Sequence, residues 1–342
     1  MSTSIKAYSI EGIEELVKKA GLPSFRSGQI LSWVYEKNVS SYEEMTNIPK
    51  AVREQFAEEY PLAKPEVKVR LESKDGSRKY LLSFDDGTLV ETVGLPSEGR
   101  LTVCCSTQSG CAMGCVFCAT GKMGLKRNLL PGEIVDQILT VQEDFGKRVT
   151  NVVLMGQGEP FMNYEATLSS LRIMNNKKLL NIGSRHITVS TCGIIPAIER
   201  FSMEEGQFTL AISLHAARQE VRDFLMPAVK NQPLDDLHRV LKHYNDKTGR
   251  RVTLEYALMK GINDSKDDKE ALISFCKDLL CHVNIIPLNK VKGSDFVPLS
   301  HVAMEKWRES LEMKGIPSTV RHSKGSDIDA ACGQLSSLYS SN

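Results

Sequence analysis

Short apolar runs alternate with helical patterns through most of the chain. Strand-like runs begin at residues 101, 150, 186, 208, 252 and 282, and each is followed by apolar positions that recur at helical spacing. Pro131 and Pro233 stand where two of these helices should begin, and Gly249 stands where one should end. Strands that alternate with helices predict a parallel sheet. Six such units fit either an open partial barrel or a doubly wound sheet, and both folds bind ligands beyond the carboxyl ends of the strands.

Two further regions precede this alternation. Residues 1–65 are helical in pattern, and we interpret them as a small N-terminal accessory domain. Residues 66–100 switch to a period of two and are punctuated by turn-forming residues, which predicts a β-hairpin extension. The alternating core then covers residues 101–322, and residues 323–342 form a C-terminal tail.

The composition is typical of a soluble globular enzyme. Of 342 residues, 41% are hydrophobic and 25% are charged, and the net charge of +1 leaves any nucleic-acid contact to a local patch. No apolar run approaches the ~18 residues of a membrane span, and acidic residues occupy the place where a secretory signal would be apolar. Nine cysteines, an odd number, indicate reduced thiols rather than a disulfide framework. We therefore expect a cytoplasmic protein.

Three of those cysteines form the strongest chemical motif in the chain. Cys111, Cys115 and Cys118 make a CxxxCxxC pattern in the loop after the first core strand. Three closely spaced thiolates suit a cubane iron–sulfur cluster in which one iron has no protein ligand. A structural zinc site would need a fourth Cys or His nearby, and none follows for many residues. The motif therefore favours an iron–sulfur cluster.

The motif and its surroundings resemble the radical S-adenosylmethionine (SAM) superfamily, and within it the RlmN/Cfr family of RNA adenine methyltransferases, the RlmN branch most closely. The matching stretches are CCSTQSGCAMGCVFCATGKMGLKRNL, GQGEP, ITVSTCGIIP, AISLHA and DIDAACGQL, within residues 89–335. The resemblance implies a partial (β/α)6 barrel, a [4Fe–4S] cluster on the three motif cysteines, and SAM bound to the open iron. GQGEP departs from the commoner GMGEP of the family.

The resemblance also implies a set of SAM contacts at the carboxyl ends of strands. The residues that match the family's pattern are Gly158, Glu159, Ser190, Ser213, Leu214, His215 and Asn289. The chemistry of Gly158 and Glu159 agrees, because a glycine permits close backbone approach and a carboxylate accepts from an ammonium group. Taken singly, such residues are more often ordinary turn or structural residues.

Two more cysteines decide which reaction the resemblance implies. Cys332 matches the residue that becomes S-methylcysteine, and Cys104 matches its resolving partner. Adenine C2 is electrophilic and cannot take a methyl cation equivalent directly, so covalent catalysis is needed. In the implied route Cys332 takes a methyl from one SAM, and a 5′-deoxyadenosyl radical from a second SAM activates that carbon for addition to adenine. Cys104 then attacks the Cys332 sulfur, releasing methylated RNA and leaving a disulfide. The thiols that match no family thiol, and are expected in the core, are Cys105, Cys192, Cys276 and Cys281.

Glu91 is the candidate base that removes the adenine proton. Period two places Leu89, Glu91, Val93 and Leu95 on one face of a strand, and a carboxylate among apolar neighbours is expected to have a raised pKa. The pattern alone equally allows a charge on an edge strand that points to water. The position of Glu91 matches the proton acceptor proposed for the family, which favours the base.

Basic residues beside the predicted site are candidates for RNA contact. They are Lys122, Lys126, Arg127, Lys290, Lys292, Arg321, His322 and Lys324. Such a cluster would hold phosphates, although solvated lysines are equally common. The target adenine must leave its stack to react.

The resemblance implies two substrates, an adenosine in the peptidyl-transferase centre of 23S rRNA and the adenosine 3′ of the anticodon in tRNA. It also implies an external electron donor and a disulfide reductant. A monomer is expected.

Three alternative functions remain open. A Cfr-type enzyme would methylate C8 of the same rRNA adenosine, but Cfr typically departs from Gly-Glu-Pro at the proline, and this chain keeps Pro160. A non-catalytic, zinc-binding RNA-interaction protein would be colourless, whereas an iron–sulfur protein is brown and air-sensitive. A radical SAM enzyme that acts on a small molecule or peptide would not need Cys332.

Overall fold

The structure, a computed structural model, describes residues 3–291 and 294–335 and combines one large sheet with surrounding helices. Its strands are β1 (Glu66–Glu72), β2 (Arg78–Ser83), β3 (Leu89–Ser97), β4 (Arg100–Cys104), β5 (Gln108–Gly110), β6 (Leu125–Asn128), β7 (Asn151–Leu154), β8 (Ile187–Thr191), β9 (Thr209–Ser213), β10 (Val252–Leu258), β11 (Cys281–Pro287) and β12 (Ser318–Val320). Its α-helices are α1 (Ile10–Lys19), α2 (Phe25–Leu31), α3 (Lys50–Glu59), α4 (Ala119–Lys122), α5 (Pro131–Phe145), α6 (Tyr164–Asn175), α7 (Ile195–Phe201), α8 (Gln219–Leu225), α9 (Leu234–Thr248), α10 (Lys266–Cys276) and α11 (His301–Glu312).

The large sheet has the strand order β1-β2-β3-β4-β7-β8-β9-β10-β11-β12, and β5 pairs with β6 separately. Strands β1 to β4 pair antiparallel, and each neighbouring pair from β4 to β12 is parallel. The parallel strands follow one another in chain order, without the reversal that defines a doubly wound sheet. Right-handed crossovers that always advance in one direction leave the connecting helices on one face, so the other face can enclose a ligand space. The strand order therefore decides between the two predicted folds in favour of the partial barrel.

The six strand–helix units expected from the sequence are confirmed, and so is their punctuation. Helix α5 begins at Pro131, where the carboxylate of Glu133 accepts from the backbone N–H of Leu130 at 2.8 Å, and its last residue, Phe145, is followed by the C-cap Gly146, whose φ is 57°. Helix α9 is likewise followed by a C-cap glycine, Gly249, whose φ is 64°. Strand β12 adds a seventh parallel strand, which three residues are too few to signal in the sequence.

The hydrophobic core lies between the parallel strands and their helices. Val152, Val189, Leu210 and Leu254 of the central strands are fully buried in one cluster with Ile138 of α5. Strands covered on both faces carry continuous apolar runs, as these do. Among the residues that the structure describes, no helix is both long enough and apolar enough to cross a bilayer.

Strands β1 to β3 extend the large sheet beyond its parallel part, because β3 pairs antiparallel with β4. Backbone hydrogen bonds close the two turns between them, from Ser73 to Ser77 and from Phe84 to Thr88, where the sequence predicts turns. This pairing brings the strand that contains Glu91 beside the strand that ends at Cys104. The domain boundaries at residues 65, 100 and 322 stay predictions.

The N-terminal helices are tied to the core by a buried ion pair. The ammonium of Lys6 lies 2.6 Å from Asp136 Oδ1 in α5 and donates to the carbonyl of Ala63 at 2.6 Å. Both side chains are almost completely buried. Burial raises the pKa of Asp136 to about 6, and the charge of Lys6 opposes that rise.

Lys6→Met should destabilise the protein strongly, because it leaves the Asp136 carboxylate buried without its cation. Breaking a buried ion pair from one side typically costs about 3–5 kcal/mol. Replacing both partners, as in Lys6→Met with Asp136→Leu, should cost much less. Denaturant unfolding measures the free energy of unfolding of each variant, and a Lys6→Met variant as stable as the unchanged protein would contradict this coupling.

Candidate active site

The carboxyl ends of the parallel strands surround a cleft of about 1090 Å³, open mouth included, which we call the first cleft. Its position beyond the carboxyl ends of the strands is typical of a cofactor site. The three motif cysteines and most of the residues expected to contact SAM line it: Cys111, Cys115, Cys118, Gly158, Glu159, Ser190, Ser213, His215 and Asn289. These residues lie at or after the ends of β4, β7, β8, β9 and β11, so the fold gathers side chains that are far apart in sequence.

The three cysteines of the CxxxCxxC motif line one cavity, but they do not converge on a single metal-ion position. Within residues 3–291 and 294–335, no three His, Cys, Asp or Glu side chains are close enough to hold a single metal ion. A cubane cluster bonds each thiolate to a different iron, so its ligands must line a shared cavity, as these do. Burial raises the pKa of Cys111 to about 11 and also raises the pKa values of Cys115 and Cys118, so cluster binding would displace protons from these thiols. The donor set fits an iron–sulfur cluster.

Gly158 and Glu159 form the part of the first cleft that follows β7. Gly158 has a φ of 100°, and a Cβ at this position would lie 2.6 Å from Gln108 Cβ, so only glycine fits. The carboxylate of Glu159 accepts from the backbone N–H groups of Phe161 at 2.9 Å and Cys192 at 2.7 Å. Burial raises the pKa of Glu159, and these donors oppose the rise. Because a carboxylate has about four acceptor positions, Glu159 can also accept from a cationic ligand group in the cleft.

His215 stands on a tight turn after β9 and is a neutral donor. Its φ is 54°, and the N–H of Ala216 donates across the turn to the carbonyl of Leu214 at 2.6 Å. The backbone N–H of Ala257 donates to His215 Nδ1 at 3.1 Å, which assigns the ring proton to Nε2. Burial lowers the pKa of His215 to about 3, and the charge of Arg222 adds to the effect. The ring is therefore uncharged near neutral pH.

The other residues expected to contact SAM divide into two groups. Ser190 and Ser213 lie side by side, with their hydroxyl oxygens 3.4 Å apart, and the side-chain amide of Asn289 donates to the carbonyl of Cys332 at 3.1 Å. All three line the first cleft. The side chain of Leu214, in contrast, is fully buried in the hydrophobic core. Its contact with SAM stays a prediction.

Cys332 lies in a C-terminal segment, residues 325–335, that contributes to the wall of the first cleft. The backbone N–H of Ala119 and the hydroxyl of Thr120 donate to carbonyl oxygens of this segment at 2.8 and 2.6 Å. Both donors directly follow the cysteine motif, so the segment is attached to the loop that would hold the cluster.

Cys332 also lines a second cleft, of about 1230 Å³ with its open mouth. Cys104 and the basic residues Arg321, His322 and Lys324 line this second cleft too. Burial raises the pKa of the Cys104 thiol to about 12, and negative charge on Cys332 adds to the rise. The same charge on Cys332 raises the pKa of Arg321. The fold therefore brings the two cysteines together, with Cys332 at the wall that the two clefts share.

Glu91 is fully buried in β3, inside the sheet. Burial excludes the water-facing edge charge that the sequence pattern allowed. Val93, on the same face of β3, packs with Cys104 in one apolar cluster, so this face is turned toward the second cleft. The sequence pattern does not predict the nearest cation, Lys79, whose ammonium lies 3.1 Å from Glu91 Oε1.

Two buried residues that support the first cleft escape sequence reasoning. Arg222 in α8 is fully buried and donates to the carbonyl of Ser213 at 3.1 Å, which fixes the end of β9. The side-chain amide of Asn263 donates to the carbonyls of His215 at 2.6 Å and Ala257 at 2.7 Å. Arginine and asparagine are usually solvated, so only tertiary contacts identify these two as supports of the site.

The remaining expectations have mixed outcomes. The cysteines buried as expected of core thiols are Cys105, Cys276 and Cys281. Cys192 is buried too, but it lines the first cleft. The guanidinium of Arg127 is bound by the carboxylates of Asp86 and Glu133, which disfavours a role in holding phosphate. Lys292 lies outside the described residues.

Two protein-family models match the chain. The model of the radical SAM superfamily matches residues 105–273, and the model of the ribosomal RNA large subunit methyltransferase N-terminal domain matches residues 4–61. The two matches fall on the helical N-terminal region and on the alternating core.

Curated relatives and one solved structure match nearly the whole chain. A protein of Clostridioides difficile (strain 630), described as a probable dual-specificity RNA methyltransferase RlmN, is 45% identical over 336 residues, 98% of each chain. A protein of Lysinibacillus sphaericus (strain C3-41) with the same description is 44% identical and covers 98% of this chain and 89% of its own. The crystal structure of a radical SAM methyltransferase from Sphaerobacter thermophilus matches with a TM-score of 0.92 and 42% identity, over 97% of this chain and 99% of that one.

A distant likeness shows the fold alone. The crystal structure of Streptococcus suis SuiB bound to S-adenosylmethionine matches with a TM-score of 0.50 at 15% identity, over 68% of this chain and 53% of that one. The two chains share a fold over about two thirds of this chain.

Gly158→Ala should weaken SAM binding by at least about tenfold, because strained backbone of this kind costs about 1–3 kcal/mol and the added Cβ also meets Gln108. Gly315→Ala is the matched control, since Gly315 has a φ of 74° but open space around its Cβ position. Calorimetric titration of SAM into the cluster-loaded protein compares the two variants. If Gly158→Ala and Gly315→Ala bound SAM with equal affinity, the close packing of Gly158 against Gln108 would not be needed for SAM binding.

Labelling of Cys104 by a small thiol reagent, in the protein without RNA, should accelerate about tenfold per pH unit from about pH 7 to about pH 10, because only the thiolate reacts. The rate should keep rising over this range because the raised pKa of about 12 keeps most of the thiol protonated below that pH, so each pH unit adds tenfold more thiolate. In denatured protein the pKa returns to 9.0, and the rate should level off above that pH. Mass spectrometry of the Cys104 peptide measures both rates; a native rate that levels off below about pH 9 would contradict the effect of burial.

Proposed function

The chain belongs to the RlmN family of radical SAM RNA methyltransferases, and from that membership we propose that it methylates C2 of adenosine in RNA through a carbon carried on Cys332. The observation that carries the proposal is the position of Cys332, which lines both clefts. The first cleft has the donor set of a cofactor site, and the second is lined by basic side chains. A sulfur that faces both clefts can collect a carbon in one and deliver it in the other.

The first cleft has residues for both cofactors of the family. Cys111, Cys115 and Cys118 would hold the [4Fe–4S] cluster, while Glu159 would accept from the ammonium group of SAM. When bound, the cluster and SAM supply the methyl group and the one-electron chemistry that activates it. We propose two SAM molecules per turnover, because one provides the methyl group and another is consumed in activating it.

Cys332 is the carrier because adenine C2 is electrophilic and cannot itself displace a methyl group, whereas a thiolate can. The hydrogen bond from Asn289 fixes the backbone of Cys332, so the position of the sulfur depends mainly on one side-chain torsion. In one half of the cycle the Cys332 sulfur binds the methyl carbon. In the other half it presents that activated carbon to the adenine, and a covalent link between protein and RNA results.

Glu91 and Cys104 would complete the reaction. Glu91 accepts the proton that leaves the adenine ring, and the unpaired electron left by addition of the activated carbon would pass to the cluster as the ring becomes aromatic again. Cys104 then attacks the Cys332 sulfur: the sulfur–sulfur bond forms, the sulfur–carbon bond breaks with its electron pair on carbon, and that carbon takes a proton to become the methyl group. The disulfide that remains must be reduced by an external thiol reductant before another cycle.

The second cleft supports an RNA substrate. Arg321 and Lys324 place positive charge at its lining, where phosphate groups of a flipped-out nucleotide would approach. We propose the substrates that the family membership suggests, an adenosine of the 23S rRNA peptidyl-transferase centre and the adenosine 3′ of the anticodon in tRNA. The partners would also include an electron donor for the cluster.

Cys332→Ala should abolish methyl transfer to RNA while the protein still binds SAM, because it removes the carrier and leaves the other residues of the first cleft in place. Cys276→Ala is the matched control, a buried thiol outside both clefts, and it should remain active. Mass spectrometry of digested RNA measures the product, with 2-methyladenosine expected. Exclusive formation of 8-methyladenosine would instead support Cfr-type chemistry, and methylation by Cys332→Ala would refute the carrier.

A further inference from the structure

A buried lysine lies in the same row of the sheet as Cys104. Lys79 in β2 is paired with Val93 in β3, and Val93 is paired with Cys104 in β4. Residues directly opposite each other in antiparallel strands project to the same face, so these three side chains share one face. Glu91 is two residues from Val93 on that face and therefore lies diagonally across from Lys79, within reach of a long side chain.

The ammonium of Lys79 joins Glu91 to the segment that contains Cys332. Its Nζ lies 3.1 Å from Glu91 Oε1 and donates to the backbone carbonyl of Asp329 at 3.2 Å. The side chains of Lys79 and Glu91 are 5% and 1% exposed, so bulk water screens this pair little. Asp329 precedes Cys332 by three residues. One cation thus touches both the candidate base and the chain segment of the carbon carrier.

Nearby carboxylates of the C-terminal segment are bonded elsewhere. The carboxylate of Asp327 accepts from the hydroxyl of Ser73 at 2.5 Å and from the backbone N–H of Lys74 at 3.2 Å. Asp329 Oδ1 lies 3.5 Å from the side-chain amide of Gln334. Asp329 therefore meets Lys79 through its backbone carbonyl, and Glu91 provides the carboxylate of the pair.

We propose that Lys79 is a positioning residue for proton removal, acting through Glu91 while it holds the Cys332 segment; this assignment rests on the proposed function. A carboxyl group in a dry site favours its neutral form, which cannot accept a proton, and a neighbouring ammonium favours the carboxylate. The hydrogen bond to Asp329 fixes the distance between the base and the carrier segment. Loss of Lys79 would then leave the carbon joined to adenine but the ring proton in place.

A purely structural role is the competing interpretation, and the chain offers a matched control for it. Lys6 has similar surroundings to Lys79, one buried carboxylate and one backbone carbonyl, but its partners are Asp136 and Ala63 rather than Glu91 and the Cys332 segment. Lys6→Met should therefore lower the free energy of unfolding, but it should not cause the covalent protein–RNA species to accumulate.

The experiment uses full-length, cluster-loaded protein with an RNA hairpin from the 23S rRNA peptidyl-transferase centre, SAM and reductant. The variants are Lys79→Met, Lys79→Gln, Lys79→Arg, Lys6→Met and Cys104→Ala. Denaturing gels measure the covalent protein–RNA species, and mass spectrometry locates it on the Cys332 peptide. Lys79→Gln is included because it keeps a polar group should Lys79→Met fail to fold.

Lys79→Met and Lys79→Gln should accumulate the covalent species and lower kcat about 100-fold, the size of a general-base contribution, with little change in KM for RNA. Lys79→Arg should restore most of the rate because it keeps the cation. Lys6→Met should lower stability without accumulating the species. Cys104→Ala should accumulate it, since no thiol releases the RNA.

The assignment is overturned if both neutral Lys79 variants turn over at the normal rate, or if they lose activity without accumulating the covalent species that Cys104→Ala accumulates. Absence of that species in Cys104→Ala would refute the proposed function itself, and the role of Lys79 with it. These results are distinguishable because the Cys104→Ala arm depends on the route and not on Lys79.

Discussion

The position of the Cys332 sulfur depends on hydrogen bonds to the backbone of the segment around it. Residues 325–335 contain only one short 3-10 turn, so no strand pairing or long helix fixes them. Side chains hold the segment instead: Asn289 donates to the carbonyl of Cys332, Lys79 to that of Asp329, and Thr120 to that of Leu335. These donors come from three separate parts of the chain: the loop after β11, strand β2 and helix α4. A thiol held in this way can face two spaces, whereas a thiol inside a strand would face one.

The strand order explains why those two spaces meet. Parallel strands that advance in one direction end on the same side of the sheet, so the cysteine motif, Glu159 and His215 converge on the first cleft. Strand β3, which precedes the first core strand β4, pairs antiparallel with it, and Glu91 of β3 and Cys104 of β4 lie on the same face of this pair. Cofactor groups and the candidate resolving groups are thus provided by different parts of one sheet, and the C-terminal segment lies where both can reach it.

Much of this organisation is predictable from the sequence, and the reason is periodicity. The alternation of strands and helices, the boundaries at Pro131 and Gly249, and the cysteine spacing are local signals. Contacts between distant residues have no such signal: Lys79 and Glu91 are twelve positions apart on neighbouring strands, and Arg222 looks like an exposed helix residue until its partners are known. The choice between a partial barrel and a doubly wound sheet also required strand order, which local patterns do not contain. Resemblance to a family marked Cys332, but not the hydrogen bonds that place it.

The relay of a carbon by Cys332 is tested most directly by following that carbon. Cluster-loaded protein is first incubated with SAM that has an isotopically labelled methyl group, and the SAM is then removed. Unlabelled SAM and RNA are added next, for a single turnover. If Cys332 is the carrier, mass spectrometry finds the label first on the Cys332 peptide and then in the first methyladenosine formed. An unlabelled first product, or label that never resides on the protein, would contradict the relay.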